Sequence, residues 1–103
     1  VCDVYKGRNS PSNIIVSDED GPVDFLLGSV TKVGVVVDGV EYSSDEGYIT
    51  FGDNGEVEIR LGLIPNPPTG VVIARLIIYT EKYPNGKPII TERSKNKLIF
   101  EFL

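Results

Sequence analysis

Apolar residues recur at every second position over most of this chain, and the segments that show this alternation are built largely from valine and isoleucine. No window sustains the i, i+3, i+4, i+7 spacing of an amphipathic helix over three turns, so the pattern predicts strands and few or no helices. The clearest strand is 56–61, where Val57, Ile59 and Leu61 alternate with Glu56, Glu58 and Arg60, giving one buried and one charged face. Leu98, Phe100 and Phe102 alternate with Ile99, Glu101 and Leu103, which predicts a second strand with its aromatic side toward the core.

Turn chemistry separates these runs. Asp38-Gly39 lies between 31–37 and 40–43 and suits a two-residue hairpin with positive φ at both central positions. Asp53-Asn54-Gly55 predicts a second hairpin between 48–51 and 56–61. Residues 83–88, Tyr-Pro-Asn-Gly-Lys-Pro, predict a third, from a strand ending near Thr80 to one over 89–93, with both prolines outside the strand interiors. Segments 3–6 and 13–17 read as short edge strands, and residues 18–22, Asp-Glu-Asp-Gly-Pro, as the turn after them. The whole predicts an all-β, immunoglobulin-like antiparallel sandwich of about seven to nine short strands, with residues 1–103 as one β-sandwich domain.

The segment 70–80 departs from simple alternation because it is almost continuously apolar, as a central strand covered on both sides is. Val72, Ala74, Leu76 and Ile78 fall on one side. Ile73, Arg75, Ile77 and Tyr79 fall on the other, and three apolar groups beside one arginine make an adhesive surface. Pro65, Pro67 and Pro68 precede it in a stretch that cannot join a ladder and predicts a loop crossing between sheets. Two readings stand: the Ile73, Arg75, Ile77 and Tyr79 face with the proline loop is an interface, or that loop or the Tyr83 turn folds over the face.

Composition narrows the chemistry. Fifteen acidic residues against ten basic ones give a formal charge of −5, which repels phosphate backbones and anionic lipid, so neither a nucleic-acid nor a membrane partner is expected. The lysines and arginine at 82, 87, 93, 95 and 97 make the last third locally basic, but they fall on turns and edges, where they protect free strands from aggregation. The sequence opens without a basic stretch leading into an apolar one, so no secretory signal is read, and the single cysteine, Cys2, allows no intrachain disulfide. Cytoplasmic synthesis is the expectation.

Histidine is absent, which removes the commonest general base and metal ligand and every Ser-His or Cys-His pair. Carboxylates cluster at Asp18-Glu19-Asp20 and at Asp45-Glu46, but neither run has the ligand order of a calcium loop. They read as solvated turn residues, and Cys2 as an idle thiol. No catalytic residue, metal site or cofactor is expected.

The order of segments resembles a family of small tailed-phage virion proteins with one immunoglobulin-like domain, similar in style to the N-terminal domain of phage baseplate upper proteins. The stretches that carry it are 20–25 (Asp-Gly-Pro-Val-Asp-Phe), 30–33 (Val-Thr-Lys-Val), 38–44, 49–51, 55–62, 70–79 and 83–86. One departure is Val72, where an aromatic two residues after the opening glycine is common, so no tyrosine corner is expected there. The resemblance implies a structural or adaptor part of a virion (tail, neck, baseplate or fibre attachment). Such a part is assembled in the host cytoplasm, docks on other virion proteins and forms a homo-oligomer or ring. A capsid decoration protein or a host-surface or carbohydrate-binding sandwich is the alternative, weakened by the absence of tryptophan and the dispersal of the five tyrosines.

Overall fold

The computed structural model describes residues 2–18, 21–22, 30–52, 55–95 and 97–103. Eleven strands form among them: β1 (Cys2–Val4), β2 (Pro11–Ile15), β3 (Ser17–Asp18), β4 (Gly21–Pro22), β5 (Val30–Val37), β6 (Val40–Ser43), β7 (Ile49–Phe51), β8 (Glu56–Arg60), β9 (Gly70–Thr80), β10 (Lys87–Ile90) and β11 (Leu98–Phe102). One 3₁₀ turn, Ser44–Glu46, is the only helical element among the described residues.

The strands build a β-sandwich. The larger sheet has six strands in the order β1-β11-β9-β5-β6, with β10 also paired to β9, and the smaller has the order β2-β8-β7. β9 is the spine of the larger sheet. One of its edges pairs with β5 over 75–80, and the other pairs first with β11 over 70–74 and then with β10 over 76–78. β3 and β4 form a separate two-stranded ribbon.

Alternation decides what each strand buries. Val33, Val35 and Val37 of β5, Ala74 and Leu76 of β9, and Leu98, Phe100 and Phe102 of β11 point inward from the larger sheet. They meet Ile49, Val57 and Ile59 from the smaller one in a single apolar cluster, which Leu61 and Ile64 extend from the loop after β8. The opposite face of β8 carries Glu56, Glu58 and Arg60, so that strand has the one wet face its sequence predicts.

The Asp38-Gly39 turn has φ of 51° and 80° at its central residues, the paired positive values that a right-twisted two-residue hairpin needs. The strands around Asp53-Asn54-Gly55 pair antiparallel, Phe51 opposite Val57, but residues 53–54 lie outside the described residues, as do 19–20 of the predicted 18–22 turn.

Three predictions need correction. β1 runs parallel to β11, so the larger sheet is not wholly antiparallel: β1 is its outer strand, and the chain then leaves for the smaller sheet. Pro88 lies inside β10, opposite Ile77, where an edge strand tolerates its missing amide donor, and the register slips before Ile90. β10 also ends at Ile90 and not at Arg93, because the next residues turn: Ser94 Oγ accepts the Thr91 amide at 2.9 Å.

Candidate functional site

β9 has the two faces its sequence predicts, and the outward one divides in two. Its C-terminal half is covered. The turn after Thr80 brings Gly86, with φ of 91°, so close to β9 that a β-carbon there would sit 2.7 Å from Ile77 Cγ2 and 3.0 Å from Tyr79 Cε1. Ile77 and Tyr79 are therefore half-buried, and the Tyr83 turn is what covers them.

Tyr79 is fixed from two neighbouring strands, β5 and β6. Its hydroxyl donates to the Glu41 carboxylate, with oxygens at 2.7 and 2.5 Å, and Lys32 Nζ lies 4.2 Å from its ring centre. Glu41 belongs to β6 and reaches Tyr79 across β5, over Gly34, where a β-carbon would stand 3.1 Å from its Cδ. Burial, then the Glu41 hydrogen bond and charge, push the Tyr79 hydroxyl up from 10.0 to about 12. Because the folded value is raised, the stabilisation is present below the unfolded value and is lost as pH rises from about 10 toward 12. Tyr79→Phe is thus expected to lower stability by about 1 kcal/mol at neutral pH and to flatten this alkaline decline. Urea titrations at pH 7 and above pH 10 measure both effects, and equal slopes against pH in the two proteins contradict the arrangement.

The N-terminal half of the same face is open. Val71 is 62% exposed and Ile73 48%, and Ile99 of β11 lies directly opposite Ile73 in the register. The proline loop that precedes β9 leaves both side chains in water. Within that loop Pro65 is exposed, while Pro67 and Pro68 are half-buried. Arg75 stands at the boundary and is tied down: its Nε and Nη2 donate to the two carboxylate oxygens of Glu92 at 2.9 and 2.7 Å. The hydrogen bond from Arg75 holds the Glu92 carboxyl below its ordinary range.

The seven residues marked in the sequence therefore do not form one surface. Ile73 is open, Arg75 is ion-paired, Ile77 and Tyr79 lie beneath a turn, and the three prolines belong to the crossing loop. Val71 joins Ile73 in the open strip and half-buried Ile99 borders it, and both were missed. Alternation from Ile73 places Val71 on its face, whereas Ile99 is revealed only by the β9–β11 pairing.

Two concavities lie elsewhere. A groove of about 500 Å³ runs along the smaller sheet between Asn13, Ile15, Thr50, Phe51 and Glu58. A second, of about 340 Å³, is lined by Arg8, Ser10, Glu46, Tyr48, Arg60 and Leu63. Its polar groups serve the fold. Ser10 Oγ bridges the Tyr5 amide and the Asp3 carbonyl, Glu46 accepts the Ser43 amide at 3.1 Å, and Arg60 Nη2 donates to the Gly47 carbonyl at 3.2 Å. Asp45 is an exposed member of the 3₁₀ turn, and Cys2 packs part-buried against the core. Among the described residues no three of Cys, Asp and Glu converge as metal ligands, and no helix is long and apolar enough to cross a membrane.

No family model, curated protein or solved structure matches this chain.

Proposed function

We propose that this chain is a non-enzymatic docking module, a structural or adaptor part of a tailed-phage virion that acts by binding other proteins of the particle. The observation that carries the docking part is the exposed pair Val71 and Ile73, with half-buried Ile99 beside them, on a sheet whose other face carries the core. Large apolar side chains held side by side on a rigid sheet and left in water are suited to burial against another protein. The phage part rests on the order of segments from Asp20 to Gly86, which resembles small virion proteins with one immunoglobulin-like domain. On this reading the chain works by shape and repetition, with no bound cofactor, nucleic acid or membrane.

Particles purified from a phage that encodes the chain are expected to contain it, by mass spectrometry and by gold-labelled antibody at the tail, neck or baseplate. The Ile73→Asp variant is expected to fold, by circular dichroism, and to be missing from those particles. Ile73 is a cleaner probe than Ile77, because Ile77 also seats the Gly86 turn. Particles that lack the unaltered chain, or that take up Ile73→Asp normally, overturn the reading.

A further inference from the structure

The open strip has a charge order that is complementary to itself. On β11, Ile99 lies two residues from Glu101, and Lys97, the residue just before the strand, falls on the same side when the alternation is continued by one position. On β9, Ile73 stands in the same way between Val71 and Arg75, and the two strands are paired with Ile73 opposite Ile99 and Val71 opposite Glu101. Asp3 of β1 lies opposite Glu101 and adds to the acidic end. Read along the strands, the face is acidic at Glu101 and Asp3, apolar at Val71, Ile73 and Ile99, and basic at Lys97 and Arg75.

Such a face fits a second copy of itself in one orientation. A two-fold axis that lies between two stacked sheets and crosses the strands at the level of Ile73 and Ile99 reverses strand direction while keeping β11 over β11 and β9 over β9. Glu101 of each copy then meets Lys97 of the other, Val71 meets the aliphatic stem of Arg75, and Ile73 and Ile99 close on their own counterparts. An axis parallel to the strands and midway between β9 and β11 instead sets Lys97 of each copy against Arg75 of the other and Glu101 against Val71, so basic meets basic, no opposite charges pair, and docking is opposed. The Arg75 and Glu92 pair limits the basic end: its guanidinium is already neutralised, so Lys97 carries the cross-copy attraction. Lys97 is exposed and donates to the Ser94 carbonyl at 3.3 Å, a bond that a partner carboxylate readily replaces.

We infer that two copies of the chain pair face to face through Val71, Ile73 and Ile99, with Lys97 of each copy on Glu101 of the other. This inference deepens the docking reading and rests on it. It makes the module a closed two-fold unit whose remaining edges are free for other partners.

Sedimentation equilibrium of the isolated chain, from low micromolar to millimolar concentration, is expected to show a monomer–dimer equilibrium that weakens with added salt. Ile73→Asp is expected to weaken it at least about tenfold with an unchanged circular dichroism spectrum. Lys97→Glu and Glu101→Lys are each expected to weaken it by a similar factor alone, since each sets two like-charged pairs in contact. Mixed in equal amounts they should pair with one another, and one chain carrying both changes should recover the original dimer. A chain that stays monomeric at millimolar concentration, a dimer indifferent to Ile73→Asp, or single-charge variants that fail to pair when mixed each overturn the inference. If the isolated chain is monomeric while Ile73→Asp is still excluded from particles, the docking reading stands and the second-copy assignment falls. A dimer from a chain absent from particles gives the reverse.

Discussion

Replacing Gly62 with alanine is expected to destabilise the fold by about 3 kcal/mol, although Gly62 has no positive φ and lies outside every strand. The cause is a close approach of backbone to backbone. A β-carbon at Gly62 overlaps the Arg8 carbonyl oxygen and comes 2.9 Å from that of Tyr5. Those carbonyls belong to a tight turn, Tyr5 to Arg8, closed by an Arg8 amide to Tyr5 carbonyl bond of 3.2 Å and fastened to Gly62 by a Gly7 amide to Gly62 carbonyl bond of 2.7 Å. The turn starts the crossing from β1 in the larger sheet to β2 in the smaller, and Gly62 starts the crossing back from β8 to β9. Two of the inter-sheet connections thus touch at one residue, and no flexible side chain is available to yield. Gly7→Ala supplies the contrast. Gly7 has φ of 75° and nothing near its missing β-carbon, so it carries a conformational cost of only about 1 kcal/mol. Urea midpoints rank the two variants, and a Gly62→Ala protein as stable as Gly7→Ala contradicts the contact.

Local chemistry explains why so much of this architecture was legible in the sequence. The Asp38-Gly39 hairpin and the bounds of β9 follow from residues adjacent in the chain, as does the inward set Val72, Ala74, Leu76 and Ile78, because turn geometry and two-residue alternation are short-range. What sequence could not convey depends on which distant segments meet. The parallel seat of β1 on β11 is one case, since short-range signals favour antiparallel neighbours. Gly34 is another. Inside a valine-rich strand it looks like a weak point, yet its missing side chain is what lets Glu41 of β6 cross β5 and reach Tyr79.

The candidate site shows the same division. Alternation placed Ile73, Arg75, Ile77 and Tyr79 on one face correctly, but exposure along that face is set by long-range partners. The Gly86 turn lies over Ile77 and Tyr79, and Glu92 comes from beyond β10 to hold Arg75. Only the stretch alongside β11 is left open. A surface that looked uniform in the sequence is two surfaces in the fold, one that stabilises the sheet and one that is free to bind.

Phe100→Ala is expected to have the largest effect of any single truncation, a loss of about 3–5 kcal/mol. Phe100 is the largest fully buried side chain among the described residues, at 0% exposure. On its own sheet it lies opposite Val72 of β9 and Cys2 of β1, and its ring centre is 6.4 Å from that of Phe102. Since β1 and β9 flank β11 on either side here, the vacated space is bounded on three strands and cannot collapse without moving all of them. Against a typical total of 5–15 kcal/mol the loss leaves little reserve, so a large drop in the urea midpoint is expected, or failure to fold at room temperature. Phe100→Leu keeps most of the volume and is expected to cost about 1 kcal/mol. That milder variant also separates the two roles of β11. Phe100 points inward while its neighbours Ile99 and Glu101 point outward, so a folded Phe100→Leu chain should dimerise as the unaltered chain does, whereas Ile73→Asp should keep its urea midpoint and lose the dimer. If Phe100→Leu instead weakens pairing as strongly as Ile73→Asp while remaining folded, then core and docking face are not independent, and the parity argument that assigns Ile99 to the surface fails with them.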